Sequence, residues 1–489
     1  MNRLAAIAVV WFVAYGHTYA QQAFDLDPSF RATFNDWSVT SIVPLDDRRV
    51  LLSGRVRYNV SDPFATMVRL LPNGQRDLTY NENGYGGGKI TPWSGRFYVA
   101  GNLTVRRLWP DGTNDTGFPV GTAMIPYFIP LQGGDYHVYP DGRILMGGVH
   151  QVNYPDSNWV GFYNLIWFSN EGYLDTTRAP HGGDGAINRF KELPDGKFIC
   201  SGAMSQFDGH ATSNIFRVRA DGALDTTFTT GTIWGGAYCF IPLPDGRCYV
   251  GGRFKSTMST DTLQVVRLMP DGSLDPTFHN TLRFGIAPPQ VNPWNLGGVE
   301  SITPLDDGRL IVTGLFDDVD GNQRGGICLV DTNGTLLSEH FSSGGCGPHT
   351  YGGTTVAAIA GIHFLADSMC YIWGEYHGYD DGTTNDTLQR FVTRLYGPDF
   401  STGVAQRVGT LAKLSVYPNP STGQATVALD ALPLGAYLVV RDAMGRTVHT
   451  QRVTDHYTTL ALEHAGLYLV ELRGADGSLL KSEKLIVRP

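Results

Sequence analysis

Seven times along the 489 residues the same segment returns: a basic residue, a short and mostly apolar run, then glycine. It reads RVLLSG ending at Gly54, RFYVAG at Gly101, RILMGG at Gly148 and KFICSG at Gly202. It continues as RCYVGG at Gly252 and RLIVTG at Gly314, and MCYIWG at Gly374 is a degenerate seventh copy. Successive glycines are 47, 47, 54, 50, 62 and 60 residues apart. Self-similarity at this period constrains the chain to a stack or ring of equal supersecondary units, and the length is that of propeller blades.

Each unit predicts four short antiparallel strands. A first strand runs into a tight turn, as in CFIPLPDGR (Cys239 to Arg247), where Asp-Gly tolerates positive φ and reverses the chain without strain. The basic-apolar-glycine segment is the second strand. A variable loop leads to an alternating third strand such as VVRLMPDG (Val265 to Gly272), with a second Asp-Gly turn. A short tail such as LDPTF (Leu274 to Phe278) is the fourth. The 60 glycines and 27 prolines of the chain suit many strands joined by tight turns. The predicted fold is all-β: a seven-bladed β-propeller over residues 21–400, followed by a small Ig-like β-sandwich.

The tails number one too few. DLTY (Asp77 to Tyr80), DTGF (Asp115 to Phe118), LDTTR (Leu174 to Arg178), LDTTF, LDPTF and a degenerate LLSEHF (Leu336 to Phe341) make six, and the seventh unit ends FVTRLYGPDF without one. The missing tail stands at the other end, in FDLDPSF (Phe24 to Phe30). Leu26 to Phe30 is therefore expected to pair beside Val392 as the outer strand of the last blade, closing the ring and removing an exposed edge. These units resemble the delta-60 repeat family, most closely over Ile241 to Phe278. The resemblance spans about Phe24 to Phe400 and implies a β-propeller but no single activity.

Both termini read as export signals. Arg3, the apolar run Leu4 to Ala14 and the small-residue end Thr18-Tyr19-Ala20 predict a signal peptide over residues 1–20, cleaved between Ala20 and Gln21. Residues 401–412 read as a linker. Residues 413–489 form a second β unit, with alternation in YLVVRD and LYLVEL. Its motifs are Tyr417-Pro418-Asn419-Pro420 with Gly423, then Asp442 to Arg446 including Gly445, then Gly466-Leu467-Tyr468, and a closing run from Lys484. In that order they closely resemble the type A C-terminal sorting domain of type IX secretion cargo. The resemblance implies recognition by the outer-membrane export machinery, removal by a sortase-like peptidase, and attachment to a surface glycolipid or release.

Sequence motifs for chemistry are sparse. There is no Gly-x-Ser-x-Gly elbow, no His-Glu-x-x-His and no phosphate loop, so no catalytic residue and no cofactor is assigned. Asp318, Asp320 and Asn322 alternate as in a calcium loop, but the following Glu is missing and a polar turn is the stronger reading. The six cysteines, Cys200, Cys239, Cys248, Cys328, Cys346 and Cys370, lack CxxC spacing, and their pairing stays open. Cys200, Cys248 and Cys370 fall in strands and read as buried thiols. A net charge of −9 argues against a nucleic-acid binder.

Alternate connections of a four-stranded blade share one face. The short Asp-Gly turns fall on one side, and the long, individual connections on the other: Val149 to Asn164, His279 to Gly298, Phe341 to Thr355 and Tyr376 to Thr387. Binding residues concentrate on such loops. Tyr154, Trp159, Trp294, Tyr351, Tyr376 and Tyr379 are the candidates for a sugar- or peptide-binding face. The chain thus reads as a monomeric, exported protein at the outer surface or released, reached through the periplasm, and binding or adhering without catalysis. The alternative is an extracellular hydrolase or lyase acting on polysaccharide or peptide through the same face.

Overall fold

The computed structural model describes residues 22–398 and 414–488, apart from 83, 102, 121–124, 155–158, 287–296, 342–343, 352–353, 430–435, 454, 463 and 474–478. The signal-peptide and linker segments lie outside the described residues. The chain divides into two compact units, residues 1–402 and 403–489. The described residues form strands and turns with no helix.

The first unit is the predicted ring of seven sheets. Inner strands are Asp36–Pro44, Ile90–Trp93, Phe128–Val138, Ile187–Glu192, Thr232–Pro242, Gly298–Pro304 and Ala358–Phe364. Each pairs antiparallel with the strand that carries the repeated segment, and that strand with a third. The outer strand is reduced to a bridge or a two-residue pair, as at Leu268 with Leu274. Apolar clusters fill the spaces between neighbouring blades, so that Leu145, Trp167 and Phe198 are shared by the third and fourth.

The recurring glycine has a steric cause. In six blades the inner strand carries a β-bulge, for example between Val299 and Ser301. The glycine sits opposite the residue before the bulge, with the bent strand's backbone lying against its Cα. A Cβ at Gly314 would lie 2.1 Å from the Gly298 carbonyl oxygen, and one at Gly202 would lie 2.0 Å from that of Ala186. The second blade tests the rule. Its inner strand Ile90–Trp93 pairs without a register shift, and a Cβ at Gly101 would meet nothing nearer than 3.4 Å.

The tail aspartate has an electrostatic cause. Arginines on the third strands donate through Nε to it: Arg69 to Asp77 at 2.7 Å, Arg107 to Asp115 at 2.6 Å, Arg217 to Asp225 at 2.8 Å and Arg267 to Asp275 at 2.7 Å. Each guanidinium also covers the tail's aromatic ring, as Arg267 covers Phe278 at 5.1 Å. Its Nη1 reaches a carbonyl in the next blade's outer turn: Pro110, Asn170, Pro270 and Thr332 respectively. One side chain thereby joins its own outer strand to the neighbouring blade. In the third blade Trp167 holds the arginine position and Arg178 the aromatic one. The pair is inverted but intact, with Arg178 over Trp167 at 5.2 Å and donating to Ala220 O of the fourth blade at 3.2 Å.

The ring closes as the missing tail requires. Leu26 bridges Leu395, Phe24 N donates to Tyr396 O at 2.8 Å, and Tyr396 N to Asp25 O at 2.9 Å. Arg394 donates to Asp27 at 2.6 Å, lies over Phe30, and donates to Pro72 O of the first blade at 2.9 Å. The N-terminal segment thus completes the same clasp as an ordinary tail.

The second unit is a β-sandwich. One sheet holds Leu414–Tyr417, Gln424–Leu429 and Tyr457–Ala461. The other holds Thr447–Arg452, Tyr437–Asp442, Gly466–Arg473 and Leu479–Val487. Val427, Leu438, Val440, Leu460, Val470 and Leu485 form its core.

Two predictions follow from the glycine and the clasp. Gly314→Ala is expected to cost about 3 kcal/mol, the upper end of what overpacking costs, whereas Gly101→Ala leaves the chemical midpoint nearly unchanged; paired denaturation curves check this. Burial raises the carboxyls of Asp77, Asp225 and Asp275, but hydrogen bonds from the following threonine and the arginines outweigh it and hold them well below the usual carboxylate range. A depressed carboxylate contributes stability above its unfolded pKa of about 3.9 and loses it as pH falls further toward the folded value. Asp275→Asn should therefore destabilise by about 3–5 kcal/mol at pH 7 by stranding Arg267. It should also flatten the stability–pH curve below about pH 4, and adding Arg267→Met should recover most of the loss.

Candidate functional site

Between the sixth and seventh blades, the connections that carry Gly344 to Pro348 and His377 to Thr387 help enclose a cleft of about 410 Å³. Three pieces build it. The second strand of the seventh blade overshoots the ring, running Met369–Asp380 and returning as Asn385–Tyr396. The connection from the sixth blade adds Gly345–Cys346 to that overshoot, pairing with Tyr379 and Asp380. The hairpin of Asp318–Val319 and Asn322–Gln323 flanks the loop of the sixth blade. Glycines are needed where the backbones touch: a Cβ at Gly325 would lie 2.2 Å from Cys346 O, and one at Gly347 2.2 Å from His377 O.

The lining mixes polar side chains with an apolar surface of somewhat larger extent. Asp317, Gln323, Arg324, His377, Asp380, Asn385 and Thr387 face it among backbone groups of the glycine-rich segments. Carboxylates and carbonyls accept hydrogen bonds, while the amides, hydroxyl and guanidinium donate. Arg324 is only 4% exposed. Its Nη1 donates to Gln323 O at 2.6 Å and its Nη2 to Leu337 O at 3.4 Å, while Nε has no partner among the described residues. Within the lining, His377 accepts at Nδ1 from Arg390, and its ring lies 4.3 Å from that of His349. His349 Nδ1 lies 3.2 Å from Glu375 Oε1. Burial, helped by Arg390 and His349, pushes the His377 imidazole down to about 4, so it is neutral at physiological pH.

Of the aromatic residues singled out in the sequence, Tyr379 lines the cleft, whereas Tyr154, Trp159 and Tyr376 do not. Tyr154 and Trp159 are half-buried against the core of the third blade, joined by a bond from Tyr154 N to Trp159 O at 3.0 Å. Tyr351 lies on strand His349–Tyr351, and Trp294 falls outside the described residues. Tyr376 and Tyr379 correct the expectation: both are buried. The overshooting strand points them inward, where Tyr376 donates to Thr393 Oγ1 at 2.7 Å. Tyr379 donates to Phe24 O at 2.8 Å and so holds the closing strand. Asp318 and Asp320 accept from Gly321 N and Arg283 N, and Asn322 donates to Val319 O and Asp320 O, so all three shape the hairpin turn. All six cysteines are free thiols, and burial raises each of them. Arg324 and His377 were missed by sequence reasoning, because an isolated Arg or His in a loop carries no spacing signal.

In the C-terminal unit the motif residues serve its turns and last strand. Asn419 donates to Lys484 O at 2.5 Å and accepts from Ile486 N at 2.9 Å, pinning the Tyr-Pro-Asn-Pro segment to the closing strand. Gly423 and Gly445 adopt positive φ, Asp442 accepts from Met444 N and Arg446 N, and Tyr468 donates to His464 O at 2.8 Å. Gly466 opens the strand that pairs with Lys484 and its neighbours.

Fold and motifs define a seven-bladed β-propeller followed by an Ig-like sorting domain. Residues 193–228, 243–278 and 305–336 match the model of a domain of unknown function (DUF5122) β-propeller. Residues 415–488 match that of a secretion system C-terminal sorting domain. Three segments of the propeller are thus DUF5122 repeats, and the second unit is a type IX secretion sorting domain. No curated protein matches the chain. Among solved structures it is similar to PorZ of Porphyromonas gingivalis, an essential bacterial surface component of the type-IX secretion system. That match has 12% identity and a TM-score of 0.35 over 93% of this chain and 66% of that one. It is also similar to the extracellular domain of a putative one-component system, BT4673, of B. thetaiotaomicron, at 8% identity and TM-score 0.39 over 96% and 59%. A fungal alcohol oxidase of the AA5 family, in complex with copper, matches at 12% identity and TM-score 0.40 over 96% and 100%. Likenesses this distant carry no functional argument.

A depressed histidine destabilises the fold as pH falls from its unfolded value of about 6.5 toward the folded one. His377→Gln is expected to flatten the stability–pH curve between about pH 6.5 and 4, and urea midpoints across that range check it.

Proposed function

We propose that this exported β-propeller, directed to the cell surface or secreted by its type IX sorting domain, is a non-catalytic binding module for a hydroxyl-rich surface ligand, a saccharide before a peptide, held in the cleft between the sixth and seventh blades. The observation that carries this is the lining, where Asp317 and Asp380 accept and Gln323, Asn385, Thr387 and Arg324 donate around about 410 Å³. That pattern suits several hydroxyls at once, in a volume within the usual range of small-ligand sites. Its partners in export are the type IX machinery and a sortase-like peptidase, with residues 401–412 as the connecting segment. The second reading, a hydrolase or lyase, is favoured by Glu300 on the inner strand of the sixth blade, whose carboxyl burial raises as a general acid requires.

Glycan-array binding of the propeller, compared with Asp380→Ala and Asn385→Ala, tests the first reading. Specific signals weakened about tenfold or more by each variant are expected, as for loss of a charged or shared hydrogen bond. Turnover of a bound glycan that Glu300→Gln abolishes would establish the second reading instead. Deleting residues 411–489 is expected to leave a folded propeller retained in the periplasm, read by cell fractionation; normal surface display of that variant would contradict the sorting role.

A further inference from the structure

Five arginines of the described residues are buried: Arg69, Arg107, Arg217, Arg267 and Arg324. Four of them clasp an aspartate at 2.6–2.8 Å. The fifth, Arg324, has no carboxylate within ion-pair distance among the described residues. It spends its bonds on two backbone carbonyls, leaves Nε unmatched, and lines the cleft. A buried guanidinium without a counter-charge is costly, since desolvation is not offset by an ion pair. An apolar solution is open to this same blade: at the positions of the clasp it pairs Leu329 with Leu337. Retaining an unmatched arginine beside a cleft points to a counter-ion that arrives from outside.

We infer that Arg324 receives an oxyanion of the ligand, and that the ligand is an acidic saccharide whose carboxylate replaces the missing aspartate. The planar guanidinium matches a carboxylate in two parallel bonds. Asp317 and Asp380 cannot share that role for the ligand. They are acceptors, and they suit the hydroxyls of the same sugar ring rather than its acid group. A hexuronate presents both kinds of group together, whereas a neutral hexose would leave the guanidinium unmatched and a bare inorganic anion would leave the acidic wall without donors. This inference rests on the proposed binding role of the cleft and adds the charge of its ligand.

The test uses the full exported protein, with oligogalacturonate, its methyl-ester and sodium sulfate at matched ionic strength as probes. Without any ligand, Arg324→Met is expected to keep or raise the melting temperature, whereas Arg267→Met lowers it. A drop at Arg324→Met equal to that at Arg267→Met would overturn the inference by making Arg324 a structural clasp. With ligand, oligogalacturonate should bind wild type about tenfold or more tighter than its methyl-ester, a preference that Arg324→Met removes, as expected for a lost charge-assisted pair. Equal binding of acid and ester, or a preference that survives Arg324→Met, would overturn the charge assignment while leaving the cleft a saccharide site. Binding of sulfate alone would overturn the saccharide. Binding of none of the three would count against the acidic-saccharide assignment, whereas a failure of every glycan on the array would remove the binding role itself.

Discussion

The whole ring depends on one interaction made between the two ends of its repeats, where Arg394 grips Asp27 and the backbone of Phe24 to Asp27 pairs with Arg394 to Tyr396. A line of sheets exposes a strand edge at each end, and a circle exposes none. Closure lets every blade bury both faces against neighbours. It succeeds because the N-terminal segment is chemically an ordinary tail: an aspartate for the arginine, a serine that satisfies the aspartate, and Phe30 for the guanidinium to lie over. The clasp is also the connection between blades, since the same guanidinium reaches the next outer turn. Where it is absent, between the sixth and seventh blades, Leu329 and Leu337 pair instead, and Phe341 meets Phe24 at 4.8 Å. A buried ion pair and an apolar pair thus solve the same junction, as expected if a buried pair contributes little beyond its own desolvation.

Much of this was legible in the sequence because it is local or repeated. Asp-Gly turns, the glycine period and the displaced tail each leave a mark within a few residues, and repetition amplifies it. The count of tails was enough to bring Leu26 to the last blade. The sorting domain was legible for the same reason, its turns being written in short motifs such as Asn419 between two prolines. The role of the tail aspartate was less visible. It reads simply as part of the short fourth strand, although an arginine stands eight residues before it in four blades. That spacing crosses an outer turn, and the partners meet only after the strands pair.

The cleft was not legible. Its walls come from segments near residues 317–325, 344–348 and 377–387, and none carries a motif. The same limit explains Tyr376 and Tyr379. An aromatic residue beside Asp and Asn in a loop suggests exposure, but the seventh blade's second strand runs on to Asp380 and turns both rings inward. The cleft and the closure are neighbours here: Tyr379 lines the cleft, and its hydroxyl holds Phe24 O of the arriving N-terminal strand.

The most direct measurement of the closed ring is native-state hydrogen exchange at the amides of Phe24, Asp27 and Tyr396. If the ends are joined as one cooperative unit, these three amides exchange only with global opening, alongside central-strand amides such as Val312 and Val250. If instead Phe24 and Asp27 exchange on the timescale of fraying termini while Val312 remains protected, the ring is not closed by its N-terminus, and the account of how these blades hold together is wrong.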